Sequence, residues 1–303
     1  MEAMKRKKKK NHRMKGDRTM QVITTVFLLL VLFIVGYPVL YVISASFSSA
    51  EALSTGRVLL WPVDINLEGY RFVLKYKTVW TGFRNSIIYT VIGVSLTMLL
   101  QICAAYPLSR PNYQGRKLMT KVYILTMLVN AGLIPNFLLR NSMGLVGSPA
   151  AVILTGSMGV SSMIILRTAF TSVPQEMFDA AKVDGASDFR CLWSVALPLS
   201  KATLSTLLLF SISGNWNEYF NSMIYLRDNN LWPLQLVLRG ILTGAQAMEA
   251  AQMSSSEMAA MAQTNAEQIR YVLIIIATVP VLIAYGLLQK NFKKGMMVGS
   301  VKG

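Results

Sequence analysis

Six stretches of this chain are long and apolar enough to cross a lipid bilayer, and that property restricts the fold more than any other. They span about 20–47, 86–108, 119–139, 150–166, 202–226 and 271–288. A hydrocarbon core about 30 Å thick needs about 20 apolar residues of helix, and each stretch is read as one such span. The expected fold is therefore an all-α polytopic membrane protein with six transmembrane helices. Composition agrees: 53% of residues are hydrophobic and 15% charged, against about a quarter charged in a soluble globule. With 303 residues, little is left for a separate soluble domain. The predicted organisation is a basic tail over 1–20 and one membrane domain over 21–303. The first apolar run is far longer than the core of a signal peptide and reads as a retained helix.

Charge orients the spans. Nine of the 30 Lys and Arg residues precede Met20, led by a KRKKKK run from Lys5 to Lys10. Such a segment beside an apolar helix stays on the cytoplasmic side and attracts anionic lipid. Placing both termini in the cytoplasm puts 21 Lys and Arg residues inside and nine outside, as the positive-inside rule requires. No aromatic residues are interleaved with the tail's charges, which argues against nucleic acid as a partner. Two long outer loops, about 48–84 and 227–270, offer material for an external partner. The second loop is rich in Ala, Met and Gln and reads as helix outside the membrane, or alternatively as a linker.

The chemistry of an enzyme is missing. The single histidine, His12, lies in the tail, and the two cysteines, Cys103 and Cys191, are isolated, so neither a disulfide nor a metal site is implied. No paired carboxylates, Ser with His, or His and Glu clusters lie inside the spans, and no phosphate-cradling glycine loop occurs, so energy for any work must enter through another chain. Within the spans Glu218 is the acid. Helical spacing would set Gly214, Asn217, Glu218 and Asn221 on one face, with Trp216, Tyr219, Phe220 and Met223 on another. A polar stripe at this depth belongs in a protein interior or along a water-filled path, or serves as hydrogen-bonding glue between helices. The third segment carries Asn130, Gly132, Pro135 and Asn136, and the fourth the small-residue run TGSMGVSS over 155–162. Both fit a path that opens and closes, and both also occur in packed bundles.

The polar stretch DAAKVDGASDFRCLWSVALP, 179–198, interrupts two apolar segments on the cytoplasmic side of this topology. Ser172 and Gln175 form a capping-box pattern with Pro174 in the first turn, predicting a helix to about Asp184. Gly185 supplies the left-handed residue that ends it, Ser187 caps a second helix with Asp188 at its positive end, and Pro198 opens the next span. Phe189, Leu192, Trp193 and Ala196 recur at helical spacing, making an apolar ridge. With four acids and two bases over 172–196, the ridge calls for a cytosolic partner, or lies on the bundle or the bilayer.

This stretch resembles the permease subunits of binding-protein-dependent ABC importers, which carry E-A-A, three residues, G, nine residues, I-x-L-P in a cytoplasmic loop. Asp179, Ala180, Ala181, Gly185, Val195, Leu197 and Pro198 occupy those seven places, with Asp for Glu and Val for Ile. The run WNEYFNSMIYL, 216–226, and the ending KKGMMVGSVKG are similar to carbohydrate-type permeases of the maltose and oligosaccharide branch. The resemblance implies the type I importer permease fold in the plasma membrane and a coupling loop over about 172–198, seated in a groove of a cytoplasmic ATPase. Asp179 would accept a basic residue of that ATPase. It further implies a heterodimer with a second, homologous permease, a dimer of ATPases, and an extracellular solute-binding protein. ATP and Mg would be used by the ATPase and no cofactor held by this chain. Trp216, Asn217, Glu218, Tyr219 and Asn221 become the candidate sugar path. A non-sugar solute such as a peptide or osmolyte, or a scaffold or sensor that moves nothing, stay open beside it.

Overall fold

The computed structural model describes residues 15–129, 131–251 and 257–299, and all regular structure among them is helical. Most of the basic tail, with His12, and Asn130 and the last four residues lie outside the described residues. Helix α1 (Lys15–Ser46) exposes its apolar side chains along most of its length. A helix apolar on all sides is either buried or in lipid, and this one is not buried. Short helices α2 (Ala50–Ser54) and α3 (Glu68–Lys75) fold the loop over 47–76 back on the bundle. The buried Gln268 holds it there: its Nε2 donates to Asn66 O at 2.6 Å and Ser46 O at 3.3 Å, and its Oε1 accepts from the Gly69 amide at 3.3 Å.

Helix α4 (Lys77–Ser109) is the central column. At 1.5 Å per residue its 33 residues run about 50 Å, starting nine residues before the expected span. The chain continues through α5 (Arg116–Leu128), α6 (Leu133–Ser142), α7 (Pro149–Ile153) and α8 (Val160–Thr171). The polar interruption holds α9 (Gln175–Val183), α10 (Asp188–Cys191), a π-turn over Leu192–Ala196, and α11 (Leu197–Leu199). Then follow α12 (Lys201–Trp216), α13 (Phe220–Tyr225), a 3₁₀ turn over Asn229–Leu231, α14 (Leu234–Ala251) and α15 (Glu257–Gly299). Helix α4 packs along α8, α12 and α14, while α15 packs along α1, α12 and α14.

Three expected spans are not continuous helices. Stretches of α1, α4 and α15 are long and apolar enough to cross a membrane, and counting each sharply bent helix pair as one span raises the number to at most five. In the third segment α5 meets α6 at 112°; with 13 residues α5 reaches only about 20 Å. Gly132, at φ +79°, makes that corner, and Asn136 Nδ2 donates to its carbonyl at 2.7 Å. The fourth segment breaks between α7 and α8, where Gly156 takes φ +74°. The fifth breaks at 217–219, so the single helical face expected for Gly214, Asn217, Glu218 and Asn221 does not form. Unwound backbone is tolerated at membrane depth where it borders a cavity in the protein, and Thr155, Gly156 and Glu218 all border one.

Candidate functional site

Two features carry the chemistry: the hinged loop over 172–198 and a polar cavity in the bundle. In the loop, Gly185 adopts φ +77°, a region that L side chains enter at a cost. Its amide donates to Lys182 O at 3.0 Å and the Ala186 amide to Ala181 O at 2.9 Å, the paired bonds of a Schellman helix end. Ser187 caps α10 by accepting from the Arg190 amide at 3.3 Å, as its position predicts. Lys182 and Asp188 bridge the hinge at 3.3 Å, both largely exposed, a contact worth less than about 1 kcal/mol.

Two local expectations fail. Ser172 does not cap α9; it ends α8, its hydroxyl donating to Ala169 O at 2.8 Å, and Gln175 instead donates to Asp179 Oδ1 at 3.0 Å. Pro198 does not open the next span: it sits in α11, and the chain turns 82° before α12 starts at Lys201. The apolar ridge also divides. Leu192 and Ala196 are buried, while Phe189 and Trp193 are 70% and 60% exposed. The π-turn over Leu192–Ala196 changes which side chains share a face, a distortion frequent at functional sites.

The loop is consequently two-sided. Inward, Phe178, Cys191, Leu192, Val195 and Ala196 join a core with Ala105, Tyr106 and Leu108 of α4, Leu166 and Phe170 of α8, and Leu207 of α12; Ala181 and Leu197 pack at its edge. Outward, Asp179, Ala180, Val183, Phe189, Trp193 and Pro198 are exposed. Arg110, after the end of α4, pins the inward face. Its guanidinium lies 3.7 Å from the Phe178 ring centroid and 5.3 Å from that of Tyr106. Its Nη2 donates to Phe170 O at 3.1 Å and its Nε to Ser109 Oγ at 3.2 Å. Burial lowers the pKa of Arg110 from its ordinary value, yet guanidinium stays charged in proteins, and its buried Nη1 has the two rings rather than a hydrogen-bond acceptor nearby. Tyr106 OH donates to Asp188 O at 3.0 Å, and Arg167 Nε to Leu108 O at 3.0 Å. Composition had counted Arg110 only toward orientation.

The cavity, of about 310 Å³, lies among α4, the α7–α8 break and the α12–α13 break. Its wall includes Ser86, Thr97 and Gln101 of α4, Thr155 and Ser162, and Ser211, Asn215, Glu218 and Ser222. Hydroxyls, amides and one carboxylate suit a ligand rich in hydroxyls. Of the expected path residues, Glu218 borders the cavity. Its carboxylate accepts from the Asn221 amide at 2.7 Å and from Asn221 Nδ2 at 2.9 Å, holding the start of α13. Asn217 accepts from Gln235 Nε2 at 3.1 Å, and Arg239 stacks 4.7 Å from the Tyr219 ring. Trp216 is buried, its indole donating to Ala277 O at 2.9 Å and its ring edge-on to Phe83 at 5.7 Å. It packs α12 to α15 and α4 instead of facing the cavity. Gln101, Asn215 and Ser222 were missed, because each looks like an isolated polar residue until packing brings three segments together. Cys103 and Cys191 are both unpaired, and no group of three or more potential metal ligands occurs among the described residues.

Known proteins resemble this chain along most of its length. A family model described as "Binding-protein-dependent transport system inner membrane component" matches residues 10–298. The protein LplC of Bacillus subtilis (strain 168) is 35% identical over 294 residues, 96% of this chain and 98% of its own. The polygalacturonan/rhamnogalacturonan transport system permease protein YtcP of the same organism is 35% identical over 277 residues, 91% and 96% of the two chains. Among solved structures, a chain from a bacterial ABC transporter involved in the import of the acidic polysaccharide alginate superimposes with a TM-score of 0.80. It is 33% identical, over 92% of this chain and 98% of that one.

Proposed function

The chain belongs to the family of binding-protein-dependent transport system inner membrane components, non-enzymatic permease subunits of multi-pass type, and from that membership we propose that it forms half the translocation path of an ATP-driven oligosaccharide importer. In this reading the unbroken helices α1, α4 and α15 and the broken pairs α5–α6, α7–α8 and α12–α13 make six spans in the plasma membrane. The basic tail, both termini and the 172–198 loop face the cytoplasm, within a single membrane domain over 21–303. A second, homologous permease completes the path, a dimer of ATPases binds below, and an extracellular solute-binding protein delivers the sugar above. ATP and Mg are used by the ATPase; this chain supplies transmission and a route.

The observation that carries the reading is the two-sided loop, one face exposed and one fixed to α4 and α8. Asp179 is exposed with one oxygen bonded to Gln175, which leaves the carboxylate able to accept a cation of the ATPase. Exposed Phe189 and Trp193 are the apolar anchors of that contact, since aromatic residues dominate interface energetics. Ala180, Ala181, Gly185, Val195, Leu197 and Pro198 keep the two helices at one angle, so closure of the ATPase dimer moves the inner ends of α4 and α8 as a lever. The sugar path is formed by the cavity with Asn217, Glu218, Tyr219 and Asn221 at one end and Trp216 holding that end in position. The carbohydrate transport named for YtcP and the alginate transporter supports the substrate class.

The test is uptake of labelled oligosaccharides by membrane vesicles containing the complete importer. ATP-dependent uptake that Asp179→Lys abolishes, with this chain still inserted, is the expected result. Uptake of peptides alone would refute the sugar assignment, and normal uptake by Asp179→Lys the coupling assignment.

A further inference from the structure

We infer that the cavity selects uncharged glycosyl units over uronic acids, with Gln101 and Ser222 reading sugar hydroxyls and Glu218 setting the electrostatic preference. The inference rests on the oligosaccharide-import reading and narrows it. YtcP and the alginate transporter carry acidic polysaccharide names, so the alternative is well defined.

Gln101 is 1% exposed, it borders the cavity, and its Oε1 has no hydrogen-bond partner; Ser222 is fully buried, also borders the cavity, and its Oγ is likewise unpartnered. Buried polar atoms without partners are uncommon in folded chains and cost free energy. The two border the cavity from different helices, α4 and α13. A sugar hydroxyl donates as well as accepts, so it can satisfy the Gln101 carbonyl oxygen and exchange bonds with Ser222. A uronate keeps its ring hydroxyls but carries at C6, in place of a hydroxyl, a carboxylate that only accepts and at that position gives the Gln101 oxygen nothing.

Charge favours the same side. The acidic side chain bordering the cavity is Glu218, and no Lys or Arg is among the described residues that line it. The nearby arginines are engaged elsewhere, Arg239 over the Tyr219 ring at 4.7 Å and Arg140 over the Tyr225 ring at 4.8 Å with Nη1 donating to Tyr225 OH at 2.8 Å. A uronate entering beside Glu218 meets a second carboxylate, and two carboxylates sharing a site repel. A neutral pyranose meets acceptors for its hydroxyls and the exposed ring of Phe210, which also borders the space.

The experiment compares uptake of a neutral galacto-trisaccharide and of trigalacturonate, separately and in competition, in vesicles carrying the complete importer. The wild type is expected to take up the neutral sugar at least about tenfold faster. Glu218→Gln keeps an oxygen for the Asn221 amide and should narrow that ratio several-fold, while Gln101→Leu should slow neutral uptake with ATPase co-purification unchanged. Equal or faster uptake of trigalacturonate by the wild type, or a ratio that Glu218→Gln leaves unchanged, overturns the inference while leaving oligosaccharide import standing. Uptake of neither sugar defeats the import reading itself.

Discussion

Replacing Arg110 by Ala should uncouple ATP hydrolysis from transport without releasing the ATPase. The side chain ties three pieces of the molecule together: it follows α4, donates to Phe170 O at the end of α8, and lies 3.7 Å from the ring centroid of Phe178 on α9. A hydrogen bond from a charged donor contributes about 1.5–3 kcal/mol, and a partly desolvated cation over an aromatic ring about 1–2 kcal/mol. Losing both weakens the seat of the loop by about 3 kcal/mol, which raises the population detached from α4 and α8 roughly a hundredfold. The apolar core around Phe178, Leu192 and Val195 and the Arg167–Leu108 bond remain, so the chain still folds. The outward face with Asp179, Phe189 and Trp193 is untouched, so the ATPase still co-purifies. In proteoliposomes the number of ATP molecules hydrolysed per sugar imported should rise several-fold. Arg110→Lys, which keeps the charge but lacks the planar group and the second donor, should fall between the two. Tyr106→Phe removes only the 3.0 Å bond to Asp188 O, about 1 kcal/mol, and should give the smallest rise. An unchanged ratio in Arg110→Ala would refute the clamp, and loss of the ATPase would relocate Arg110 to the docking face.

Further outcomes follow from individual geometries. Gly185→Pro cannot adopt φ +77°, since proline fixes φ near −65°; insertion should persist in membrane fractions while ATP-dependent uptake falls by at least about tenfold. A Cβ on Gly93 would collide with the Asn215 side-chain amide, so Gly93→Ala should turn that amide within the cavity wall and lower sugar uptake several-fold, at about 1–3 kcal/mol of overpacking strain; unaltered uptake kinetics would contradict the assignment of the cavity. Gln268→Leu leaves the Gly69 amide and the Asn66 and Ser46 carbonyls without partners, about 1–3 kcal/mol for the buried groups, and should increase proteolysis of the loop over 47–76 while leaving ATPase binding unaffected.

Much of this was legible in the chain because local chemistry dictated it. The long apolar runs gave α1, α4 and α15, and the loop's hinge at Gly185 and cap at Ser187 follow from residues within a few positions of each other. The breaks in the third, fourth and fifth segments were not legible. A window long enough to detect a span averages across Gly132, Gly156 and 217–219, and near Gly156 and Glu218 unwound backbone becomes tolerable because the folded bundle holds a cavity beside it. The expected polar and aromatic faces around Glu218 assumed an unbroken helix, and the break turned Trp216 into the core and Glu218 into the support of α13. The ridge at Phe189 assumed regular helical spacing, which the π-turn over Leu192–Ala196 does not keep. Arg110, Gln101 and Ser222 acquire roles only from partners distant in sequence, Phe178 for the first and a shared cavity for the other two.

The most direct test is ATP-driven sugar uptake by proteoliposomes holding the complete importer with either wild-type chain or the Asp179→Lys variant, measured beside ATPase retention. The predicted result is uptake that depends on this chain, together with loss of both uptake and ATPase retention in the variant. Undiminished uptake and retention with Asp179→Lys, or undiminished uptake with this chain left out, would contradict its assignment as the permease half that couples hydrolysis to import.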